Sequence, residues 1–140
     1  MTEADSICLR PIGVVRSSLR ERSEAPRQAH AGAPEARLCL DPRFADALHR
    51  IAVGDELMLL TWLHQADRSV LQVHPMDDPG IPMTGVFATR SSDRPNPVGL
   101  HRVTVAGIEP PGTLHVSALE AIDGTPIIDL KAVIDRARDS

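Results

Sequence analysis

Apolar positions in this chain fall in short runs of strand length, divided by stretches rich in proline, glycine and charge. Ile7 to Val15 is a β-rich run interrupted by Pro11, which lacks a ladder donor and belongs at a strand end or edge, so a first strand is predicted there. Ala36 to Leu40 predicts a second strand. Glu56 to Leu63 (ELMLLTWL) predicts a third, with Ser69 to His74 (SVLQVH) as its antiparallel neighbour. Gly85 to Thr89, Arg102 to Ile108, Leu114 to Leu119 and Ile127 to Leu130 read as further strands, separated by RSSDRPNPVG, EPPG and DGTP. Helical spacing occurs once: Phe44, Leu48 and Ile51 stand at i, i+4 and i+7 behind Asp41-Pro42, a cap followed by a proline at the first helical position. Ser17 to Pro34 has no sustained apolar period and predicts a long exposed excursion, a kind of loop that tends to be functional in compact domains. Lys131 to Ser140 is compatible with a turn of helix. The expected architecture is mainly β: a curved antiparallel or mixed sheet, closed or nearly closed into a barrel, with one short helix. Its expected bounds are 7–131, between a flexible start at 1–6 and a short tail at 132–140.

Composition narrows the chemistry. A chain of 140 residues suits one domain, and 42% hydrophobic residues sustain a core without disulfide or metal staples. That core must be aliphatic, because the chain has two Phe, one Trp and no Tyr; a phenol acting as acid or base is excluded. A net charge of -4 argues against coating nucleic acid through bulk positive charge, DNA included. Locally the balance differs: residues 10–37 hold six Arg against three Glu, an excess of +3 that suits phosphates or a solvated loop. Cys8 and Cys39 have no CxxC spacing and fit a reducing compartment. Met1 to Ser6 carries no apolar core of a secretory signal, and no apolar run approaches the roughly 20 residues that span a bilayer, so a cytoplasmic protein without a membrane partner is expected. His64 and His74 stand ten residues apart without zinc-ligand context, and no metal is expected.

The motif search first excludes. No two glycines form even a GxG, so the Rossmann phosphate turn is missing, along with a P-loop and a GxSxG elbow. The informative stretch is Gly85 to Leu100, GVFATRSSDRPNPVGL. Pro95 and Pro97 fix their own φ and hold Arg94 and Asn96 extended, which makes four consecutive residues stiff without secondary structure. Arg90 and Arg94 flank them with planar donors suited to carboxylates, phosphates or a base. A proline-braced loop whose arginines pair with Asp93 is the plainer reading. Pro26-Arg27-Gln28 in the long excursion and His64-Gln65 at a strand end are further candidates. Glu120 to Pro126 is a turn whose carboxylates and backbone suit a ribose, an amine or an adenine N6, although Asp123-Gly124 equally marks a plain hairpin.

Taken in order, IGVVRS at 12–17, PRQ at 26–28, WLHQ at 62–65, GVFATRSSDRPNPVGL at 85–100 and DGTPIIDLK at 123–131 resemble the TsaA/TrmO (YaeB-like) family over nearly the whole of 7–131. These are tRNA N6-threonylcarbamoyladenosine methyltransferases that use S-adenosylmethionine, and the resemblance is to short members without the C-terminal domain that many bacterial members carry. It implies a barrel-like fold outside the Rossmann methyltransferases (class VIII) and a homodimer with the cofactor site near the interface. By matched position, the cofactor contacts would be Pro26, Arg27, Gln28, His64, Gln65, Arg90, Leu100, Glu120, Ala121, Ile122 and Asp123. Arg94 and Asn96 are the substrate candidates. Asp123 or Glu120 is the candidate base, with His64 as the outsider. The chain departs from the family's habit in two places: DLKAV stands at 129–133 where DIKPY is usual, and His101 replaces a small residue. Other readings keep the cofactor but change its use: methyl transfer to a small molecule or another RNA, or a non-catalytic S-adenosylmethionine-binding module.

Overall fold

A computed structural model describes residues 6–21 and 34–134. Six strands close into a barrel in the order β1 (Gly13–Arg16), β2 (Ala36–Leu40), β7 (Thr113–Val116), β6 (Val98–Glu109), β3 (Glu56–Trp62) and β8 (Pro126–Ala132), which returns to β1. Every pairing is antiparallel. β4 (Gln72–Val73) and β5 (Thr84–Gly85) form a separate two-stranded ribbon.

The barrel follows from period-2 alternation. In β3 Leu57, Leu59 and Thr61 are buried while their neighbours are not, and in β6 Gly99, His101, Val103 and Val105 alternate in the same way. One core cluster fills the interior, and Val15, Leu38, Leu59, Val103, Leu114 and Ile127 in it are each at most 1% exposed. No aromatic ring takes part, in keeping with the composition.

Several elements differ from their predicted form. The first strand is Gly13–Arg16 rather than Ile7 to Val15, since Pro11 breaks the run and Ile7 and Leu9 stay exposed. The helix is a 3-10 segment, Pro42–Leu48, with Asp41 as its cap, and it buries no residue completely. Ser69 to His74 contributes only β4, whose partner is β5; β3 pairs instead with β6 and β8. Gly85 to Thr89 is the end of β5 followed by a 3-10 turn, Val86–Ala88. β6 begins at Val98, four residues before the predicted Arg102, and β7 ends at Val116 instead of Leu119. Lys131 and Ala132 extend β8 and take no part in the turn of helix with which the tail is compatible in sequence. Among the described residues no helix is long and apolar enough to cross a membrane.

Candidate functional site

At one end of the barrel β3 finishes where β6 and β8 begin, and the polar members of the inward alternation meet there. Thr61 is in register with Gly99 and Ile127, and Leu59 with His101. Thr61 is fully buried and His101 is 6% exposed, and Thr61 Oγ1 stands 2.8 Å from His101 Nε2. The other ring nitrogen, Nδ1, lies 2.5 Å from Oε1 of Glu120, in the loop after β7. An ionised carboxylate only accepts, so Nδ1–H donates to Glu120 Oε1, while Nε2 shares its hydrogen bond with the Thr61 hydroxyl. Gly99 makes the room: a Cβ there would lie 2.3 Å from Thr61 Oγ1 and 2.7 Å from His101 Nε2.

Above this floor opens a cleft of about 890 Å³, within the range of small-molecule sites. Its walls come from five separated segments: Leu60 and 63–66, Asp77, residues 87–94, the start of β6, and the loop from Glu120 to Thr125. His64, Gln65, Arg90, Leu100, Glu120, Ala121 and Ile122, all singled out in the sequence, line it together. Arg90 is exposed on the wall, with no hydrogen bond or ion pair among the described residues. Pro26, Arg27 and Gln28 lie outside the described residues.

Asp123 does not line this cleft. Its Oδ1 accepts from the Ser17 N–H at 3.0 Å, and Oδ2 stands 3.6 Å from both Arg16 and Arg20. The turn at Gly124, with φ +84, carries the chain back to β1 immediately after Asp123. Asp123 therefore sits on a second cleft, with Arg16, Arg20, Arg37 and His115.

The proline-braced loop is built by its own arginines. Arg94 lines the cleft, but its Nε donates to the Ser91 carbonyl at 2.8 Å and its Nη2 to those of Thr89 at 2.7 Å and Val86 at 2.5 Å. Arg68 donates to the Pro95 carbonyl at 2.7 Å and to Asn96 Oδ1 at 3.0 Å while its guanidinium stacks over Trp62. Arg94 and Asn96 thus hold the loop's shape. Arg68, Thr61 and the floor role of His101 escaped the motif reading. A histidine on the same face as Val103 and Val105 was the signal available for that floor, since a polar group in an apolar alternation must find partners.

One titration shift stands out among the described groups. Arg102, hydrogen-bonded to Glu56 at 2.7 Å, holds that carboxyl below the usual carboxylate range, on the barrel's exposed wall and outside the cleft. Among the described residues no group of three or more His, Cys, Asp and Glu is arranged to hold a metal ion.

A closed antiparallel barrel, with a cleft of arginine, carboxylate and apolar walls at one end and no glycine-rich phosphate turn, defines a small-molecule-binding barrel outside the Rossmann nucleotide folds. The chain belongs to the tRNA-methyltransferase O N-terminal domain family, whose model matches residues 14–139. An Archaeoglobus fulgidus protein named "S-adenosyl-L-methionine-binding protein" is 40% identical over 123 residues, covering 88% of this chain and 86% of its own. A Pseudomonas aeruginosa protein named "Putative S-adenosylmethionine-dependent methyltransferase RcsF" is 39% identical over 132 residues, 91% of this chain and 55% of its own. The crystal structure of TrmO from Pseudomonas aeruginosa superimposes with a TM-score of 0.76 at 34% identity; the match covers 99% of this chain and 60% of that one.

Proposed function

We propose that this protein is an S-adenosylmethionine-dependent N-methyltransferase acting on the N6 of threonylcarbamoyladenosine in the tRNA anticodon loop. The observation that carries the reading is the convergence on one cleft of His64, Gln65, Arg90, Leu100 and Glu120 to Ile122, brought together from positions far apart in the chain. The residues present suit the cofactor. Arg90, which has no partner among the described residues, offers donors to a carboxylate, Glu120 offers negative charge to a sulfonium, and Leu60, Leu63, Leu100 and Ile122 offer an apolar wall. When bound, the cofactor supplies an electrophilic methyl group. The chain's part is then to orient, to exclude water and to take a proton. Glu120 is the base of choice over Asp123, because it lines the cleft while Asp123 is engaged with Ser17, Arg16 and Arg20.

The second cleft supports an RNA acceptor. Arg16, Arg20 and Arg37 line it together with Glu35 and Asp123, three guanidinium groups on one surface that suit phosphates. Homodimerisation belongs to the same reading: Phe87, on the cleft wall, is 83% exposed, and Leu71 and Met76 on the neighbouring excursion are each 65% exposed.

The test is tritium transfer from labelled S-adenosylmethionine to tRNA from a strain lacking this gene. Label should enter adenosine N6. Calorimetry with Arg90→Ala should show cofactor affinity about tenfold weaker or more, the worth of one charge-assisted pair. Tight cofactor binding with no label in tRNA, but with label in metabolites or another RNA, would move the acceptor; binding without turnover on anything would leave a sensing module.

A further inference from the structure

The cleft floor holds a side-chain chain whose members are fully accounted for. Neither His101 nor Glu120 has any other side-chain hydrogen bond or ion pair among the described residues. Glu120 Oε1 is therefore tied to the ring, while Oε2 keeps its full acceptor capacity on a side chain that is 19% exposed in the cleft. The ring cannot swing away from this arrangement, because Thr61, buried in the barrel wall, holds Nε2, and Gly99 lies directly against both groups.

A carboxylate on a loop is free to rotate; one clamped by a buried imidazole is not. We infer that His101 is a positioning residue, anchored on Thr61, that holds Glu120 as the proton acceptor of the methyl-transfer cleft. The inference rests on the nitrogen-acceptor reading above. As the acceptor nitrogen's lone pair forms the new N–C bond, the C–S bonding pair stays on sulfur. The N–H proton passes to Glu120 and the N–H pair remains on nitrogen, so charge and atoms balance without a further reactant. His101 keeps its Nδ1 proton throughout and acts only through Glu120. The other charged or titratable groups on the cleft walls are His64, Asp77, Arg90 and Arg94, and among the described residues His64, Arg90 and Arg94 share no hydrogen bond or ion pair with His101 or Glu120.

The experiment uses the full chain with His101→Ala, His101→Asn and Glu120→Gln. Asparagine places an amide nitrogen near the Nδ1 position and can still donate to the carboxylate. In nitrogen-15 histidine spectra, His101 should carry its proton on Nδ1 with a far-downfield proton resonance, and Glu120→Gln should abolish that resonance. Single-turnover transfer to the undermodified tRNA should fall about a hundredfold in Glu120→Gln, the scale of a lost general base. It should fall about tenfold in His101→Ala and recover to within about threefold of wild type in His101→Asn, while S-adenosylmethionine affinity stays within about twofold in both His101 variants. A His101→Ala protein with the wild-type rate, an asparagine variant no better than alanine, or a ring protonated on Nε2 instead of Nδ1 would each overturn the inference. A wild type that shows the Nδ1 signal but labels no tRNA overturns the tRNA reading and leaves the clamping of Glu120 standing.

Discussion

At the scale of the residue, Gly99 shows how strictly the cleft floor is built. Strand interiors usually disfavour glycine, yet here the space of a methyl group is already filled by the Thr61 hydroxyl and the His101 ring. Gly99→Ala must push one of them aside, so the barrel should lose about 1–3 kcal/mol, the usual cost of overpacking, as read from urea unfolding. The methyl-transfer rate should fall with it, because the displaced ring positions Glu120; an alanine variant with wild-type stability would show that the floor is loosely packed. Sequence reading reached the neighbourhood of this feature without its meaning. It marked His101 as an unusual residue, but which groups the ring meets is decided by the register of β3 against β6, and register is a tertiary fact. Asp123 and Glu120 were indistinguishable as carboxylates three residues apart. The turn at Gly124 separates them, sending one to the basic cleft and leaving the other over the barrel mouth.

At the scale of the element, Arg94 turns an irregular loop into a rigid wall by closing three backbone carbonyls onto one guanidinium. Arg94→Ala leaves those carbonyls to water, and the segment from 86 to 94 should gain amide exchange by about tenfold or more, in keeping with net hydrogen-bond worth near 1 kcal/mol each. Exchange in β3 and β6 should stay unchanged. If 86–94 exchanges as in wild type, the prolines alone stiffen the wall. The same loop explains which strands were legible. β2 emerges with the predicted bounds, since its alternation is uninterrupted. Glu56 to Leu63 loses only its last residue, and for the same reason. Gly85 to Thr89 has strand-forming residues but ends in a 3-10 turn, because Arg94 draws the carbonyls of Val86 and Thr89 to one point. Phe44, Leu48 and Ile51 do have helical spacing, but a seven-residue segment begun by proline tightens to 3-10 geometry, and its apolar side chains are only partly covered.

At the scale of the whole molecule, barrel closure and exposed apolar side chains pull in different directions. Closure satisfies all six main strands internally, while Phe87, Leu71 and Met76 remain in solvent beside the cleft. Sedimentation should find a dimer at micromolar concentration, and Phe87→Ser should shift it to monomer with unchanged far-ultraviolet circular dichroism; a monomeric wild type would remove the second copy from the reading. The aliphatic core and the β class were open to sequence inspection because alternation and composition are local properties. Closure was less so, since it depends on two register positions between β1 and β8, Gly13 with Ile127 and Val14 with Pro126. A cylinder without a free rim of backbone donors and acceptors offers no template on which another chain can grow a strand. Recognition of any partner by the barrel proper is thus written in side chains alone, so assembly and folding are separable traits, and one can be altered by surface substitution without reopening the other.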